Sequence, residues 1–60
     1  MSLRAVRINA NYTQEEVAKK LGVSPVTVIN WENGKTQIKA VDLSRLCKLY
    51  NVPMSLIFLP

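Results

Sequence analysis

The sequence predicts an all-α fold, and three observations carry that prediction. Apolar residues recur at helical spacing: Val17 with Leu21, Val28 with Trp31, and the longer stripe Leu43, Leu46, Cys47 and Tyr50. Helix-start signals precede the first two sets. Thr13 with Glu16 three residues on makes a capping box, and Ser24-Pro25 is an N-cap followed by proline at the first helical position. Helix-stop signals close them, with Gly22 and Gly34 suited to the left-handed residue just past a helix end.

Taken in order, the first helix spans Met1 to Asn9. Leu3, Val6 and Ala10 share one face, and Arg4 and Arg7 are expected on another, where they could touch the flank of a binding site. Asn11 is a plausible left-handed stop, and Tyr12 is placed to staple against Val17. Helix 2 covers about Gln14 to Leu21 and helix 3 about Pro25 to Glu32. Val23 sits in the angle between them, and the small Ala18 suits their closest approach. A loop from Asn33 to Lys39 carries Lys35 and Lys39. Helix 4 runs from about Val41 to Tyr50, with Asp42 near its start and Lys48 near its end, both favourable to its dipole. Asn51 then stops it, and Pro53 opens a last short helical turn, Met54 to Phe58.

Sixty residues make one small domain, 1–60, close to the size at which a single core barely suffices. Hydrophobic residues at 48% rule out a disordered chain. Eight basic against four acidic residues give +4, with a pI near 9.7, which fits attraction to phosphate as well as it fits plain solubility. With no histidine and one cysteine, no metal cluster, disulfide or catalytic triad can be assembled, so neither an enzyme nor a cofactor is expected. Cys47 lies on the apolar stripe of helix 4 and reads as a packed thiol. No signal peptide or long apolar run is present, and a cytoplasmic setting is the default.

Two helices with facing apolar stripes and so short a turn must cross steeply, which makes residues 14–32 a helix-turn-helix. The run Thr13-Gln14-x-x-Val17-Ala18-x-x-Leu21-Gly22-Val23-Ser24, then Val28-x-x-Trp31-Glu32-Asn33-Gly34-Lys35, resembles the phage-repressor (lambda-repressor-like, Cro/repressor) helix-turn-helix family. Leu43-x-x-Leu46-Cys47-x-x-Tyr50-x-Val52 is similar to that family's fourth helix. The resemblance implies a compact five-helix DNA-binding domain, usually a homodimer on duplex DNA. It assigns Ser24, Pro25, Val26, Thr27 and Asn30 to the groove-facing positions. It gives Gln14 a phosphate contact through its backbone N–H and side chain, and sets Lys35 and the loop to Lys39 against the backbone of the far strand. Pro25 and Val26 stand where the family is often polar, Asn11 and Asn51 where it has glycine, and Pro53 where it has a polar cap.

The outer face of helix 3 groups Pro25, Val26, Ile29 and Asn30, with no Arg or Lys on the helix. Apolar contacts suit thymine methyls and Asn30 suits adenine, whereas a face this apolar also suits a protein partner. The tail holds Met54, Leu56, Ile57, Phe58 and Leu59, more apolar surface than a short helix can bury. The surplus, Leu56 and Phe58 in particular, is expected at a two-fold seam, or under a segment that follows in a longer regulator. These features predict a phage-type transcriptional repressor that occupies a palindromic operator. The alternatives are an antitoxin that also binds a toxin partner, and the N-terminal DNA-binding part of a longer regulator.

Overall fold

The computed structural model describes all 60 residues and contains no strand. Four α-helices, α1 (Leu3–Asn9), α2 (Gln14–Leu21), α3 (Pro25–Asn33) and α4 (Ala40–Tyr50), are followed by a 3-10 turn, Met54–Leu56. Each α-helix starts from an extended residue. Ser2, Thr13 and Ser24 cap α1, α2 and α3 with their side-chain oxygens, and the Thr13–Glu16 capping box is complete in both directions. Lys39 precedes α4 with no side-chain cap.

The helix ends share one device. Asn11, Gly22, Gly34 and Asn51 all have positive φ, between 56° and 76°. The next residue then donates its N–H back across the last turn: Tyr12 to the Arg7 carbonyl, Val23 to Ala18, Lys35 to Asn30 and Val52 to Cys47, at 3.0–3.2 Å. This is the Schellman arrangement, which satisfies carbonyls that a helix end leaves orphaned. Three of the four returning residues, Tyr12, Val23 and Val52, are apolar and pack on the core. The left-handed residue therefore does two things: it stops a helix and folds the chain back over the interior.

That interior is one cluster of twelve buried apolar residues. The helical stripes supply ten, among them Val17, Leu21, Val28, Trp31, Leu46, Cys47 and Tyr50, with Leu3 and Val6 from α1 and Ala18 beneath the turn. Ile38 from the α3–α4 loop and Ile57 from the tail complete it. Tyr12 also faces the Tyr50 ring, with centroids 6.1 Å apart, so its aromatic partner is on α4. α3 packs against α2 and touches α1.

Two expectations are corrected. The expected fifth helix is only a three-residue 3-10 turn, so the fold has four α-helices. Beyond the turn the backbone is extended at Ile57, and the Phe58 N–H donates to the Met1 carbonyl while the Met1 ammonium donates to the Leu56 carbonyl, each at 2.7 Å. A longer helix would take those groups away from the pairing. The second correction concerns Arg7, which is buried with the apolar face of α1 rather than presented beside Arg4. At about 100° per residue, position 7 lies only about 40° from Leu3, inside the buried stripe.

Candidate nucleic-acid interface

The local sequence positions α3 with little freedom. Gly22 takes the left-handed conformation, Val23 returns to Ala18, and Ser24 restarts the chain as a helix within two residues. Val28 and Trp31, 1% and 5% exposed, fix which side of α3 faces inward. The opposite side is then determined. Pro25 and Val26 are exposed, Val26 at 60%, and Thr27, Ile29 and Asn30 are half-buried.

Ser24 is exposed, but its Oγ accepts the Val26 N–H at 3.1 Å, so the hydroxyl hydrogen is what it keeps for another partner. Gln14, Thr13, Tyr12 and Glu15, at the start of α2, share one open cleft of about 340 Å³ with Pro25 and Ile29 of α3. Of the predicted phosphate and base positions, Gln14 and Pro25 therefore meet at this cleft. Lys35 and Lys39 stand exposed in the loop that follows α3. Leu56 and Phe58 belong to the tail, 38% and 73% exposed.

A polar cluster with no counterpart in the sequence expectations shares Arg7, Tyr12 and Gln14 with the lining of this cleft. Arg7 donates from Nε to Glu32 Oε2 at 2.7 Å and from Nη2 to Oε1 at 3.2 Å. Its Nη1 donates to the Tyr12 carbonyl at 2.9 Å. Gln14 Nε2 donates to the same Glu32 Oε1 at 3.1 Å. The Arg7 and Glu32 side chains are 10% and 4% exposed, so this is a paired interior charge and not a surface bridge. The hydrogen bond to Glu32 raises the Arg7 pKa further, against the opposing effect of burial. Burial pushes the Tyr50 phenol up as well; Glu32 adds to that rise and Arg7 opposes it. The signal was available: Glu32 follows Trp31 and lies at i+4 from Val28, so both charges occupy positions where the helical stripe calls for apolar residues. Arg45 Nη2 donates to the Leu21 carbonyl at 2.7 Å and ties α4 to the end of α2.

A helix-turn-helix family model matches residues 3–57. The chain belongs to the Cro/repressor-type helix-turn-helix family. Membership makes it a helix-turn-helix DNA-binding domain. Over 53 residues it is 34% identical to the cryptic phage CTXphi transcriptional repressor RstR of Vibrio cholerae, covering 88% of this chain and 48% of that protein. Over 57 residues it is 39% identical to an uncharacterised HTH-type transcriptional regulator of Methanocaldococcus jannaschii, covering 95% of this chain and 86% of that one. The chain thus spans about half the length of the phage repressor. No solved structure gives a significant match. No helix is long and apolar enough to cross a membrane.

Proposed function

We propose that this chain is a sequence-specific duplex-DNA binder, a transcriptional repressor of phage type that acts by occupying its operator. The observation that carries the reading is the exposed outer side of α3, meeting the α2 start at one cleft. Val26, Pro25 and Asn30 face the major groove, with Thr27 and the Ser24 hydroxyl beside them. Gln14, Lys35 and Lys39 meet phosphates on either side. The 34% identity to a named phage repressor supports the same reading.

The size of the molecule supports a dimer. It measures 25 × 22 × 19 Å, while successive major grooves on one side of a duplex lie about 34 Å apart. One copy therefore reads one half-site, and a palindrome with half-sites about 10 base pairs apart needs two. The exposed Leu56 and Phe58 offer the seam. The same exposed tail favours a second reading, in which it binds a toxin-like protein partner while α3 still reads DNA.

The test is a salt titration of duplex binding with wild type and Lys35→Ala. The variant should weaken binding to all duplexes about equally. It should also reduce the slope of log affinity against log salt by about 1. A slope that does not change removes Lys35 from the footprint, and a wild type that binds no duplex overturns the proposed function.

A further inference from the structure

Glu32 is an acid on the very helix proposed to enter the groove, where a free carboxylate would repel phosphate. It is neither free nor exposed. Arg7 neutralises it with two hydrogen bonds, yet this pairing leaves one contact unaccounted for: Gln14 Nε2 also donates to Oε1, at 3.1 Å. A carboxylate already matched by a guanidinium does not need that bond for charge balance. Gln14, however, is changed by it. An amide nitrogen carries two N–H groups, and anchoring one to a buried oxygen fixes the amide while leaving the other unspent. Gln14 is also the first residue of α2, where backbone N–H groups lack intrahelical partners, and it lines the open cleft shared with Pro25 and Ile29.

We propose that Glu32 is a positioning residue for DNA binding: it holds the Gln14 amide so that its second N–H, beside the free backbone N–H of α2, meets a DNA phosphate. Arg7 makes this possible by cancelling the charge of the carboxylate. The inference rests on the DNA-binding reading above and adds to it a link between the interior of the fold and one backbone contact.

Removing Glu32 alone would leave Arg7 buried and unpaired, which is enough to unfold so small a protein. The test therefore compares two neutral backgrounds, Arg7→Met/Glu32→Gln, which keeps an acceptor for Gln14, and Arg7→Met/Glu32→Leu, which removes it. Folding of each is checked by circular dichroism. Gln14→Ala is then introduced into wild type and into both backgrounds, and affinity is measured on the duplex that wild type binds most tightly. Loss of one hydrogen bond to a charged group corresponds to about tenfold. The proposal expects about that loss from Gln14→Ala in wild type and in the Gln background, and less than twofold in the Leu background. Equal losses in the two backgrounds would show that the acceptor does not position Gln14, and would overturn the inference while leaving DNA binding intact. A loss below twofold in wild type would overturn it too. A wild type that binds no duplex would fail earlier, at the proposed function itself.

Discussion

Tyr50 shows how much one residue in this core decides. It ends the buried stripe of α4, faces Tyr12, and lies near the Arg7–Glu32 pair. Burial and the nearby carboxylate raise its pKa above the ordinary phenol value of about 10. The folded state therefore holds the phenolic proton to higher pH than the unfolded chain does. Its contribution is intact below about pH 10 and is lost as pH rises above that value, at up to about 1.4 kcal/mol per unit. The informative quantity is the difference from Tyr50→Phe. Urea unfolding at pH 9 and pH 11 should show wild type losing more stability than the variant. Parallel losses would mean that the Tyr50 phenol is no better protected when folded than when unfolded.

The helix ends carry the next level of organisation. Four left-handed residues set where the chain turns, two of them glycine and two asparagine. A Cβ at Gly22 would meet nothing within 4 Å, so any cost of Gly22→Ala is purely conformational. It should be about 1–2 kcal/mol, the penalty of a left-handed backbone for a residue with a side chain. Asn51→Gly should move stability the other way, by up to about 1 kcal/mol, since asparagine tolerates this conformation less well than glycine. Chemical denaturation of both variants measures the pair, and a neutral Gly22→Ala would contradict the backbone account. These helices were largely legible beforehand. Capping residues and left-handed stops act over a few neighbours in the chain, so α2 begins and ends at Gln14 and Leu21 as read, and α3 is only one residue longer. The Arg7–Glu32–Gln14 cluster was not legible. Its members come from three helices, and a charge in a buried stripe reads as surface until its partner is seen. The tail was partly legible: its surplus of apolar surface was expected, but the bonds between the Met1 backbone and Leu56 and Phe58 join opposite ends of the chain and leave no local pattern.

At the scale of the whole molecule, Phe58 presents most of its surface to solvent, and Met54, Leu56 and Leu59 are exposed around the same turn. Leaving that much apolar surface bare is unfavourable, and the proposed two-fold seam would cover it on two copies at once. Sedimentation of the wild type should show mass rising with concentration, and Phe58→Glu should abolish that rise. The variant should also bind a palindrome more weakly while binding a single half-site as wild type does. A strict monomer whose Phe58→Glu variant binds palindromes normally would remove the homodimer and leave the tail to a different protein partner or to a segment that follows in a longer regulator.

The proposed function stands or falls on whether α3 reads bases with apolar side chains and one asparagine. Thymine offers a methyl group in the major groove, adenine a paired acceptor and donor, and guanine chiefly acceptors that call for Arg or Lys. α3 has neither cation, and the side-chain amide of Asn30 carries the donor and acceptor that would pair with adenine. The most direct test is selection of bound sites from random duplexes, run in parallel with wild type and Asn30→Ala. Wild type should select half-sites with A·T at the steps under α3. Asn30→Ala should lose preference at a single step, at a cost of about 1–3 kcal/mol on the wild-type site. A consensus dominated by guanine at those steps, or an Asn30→Ala variant that keeps every preference, would contradict the claim.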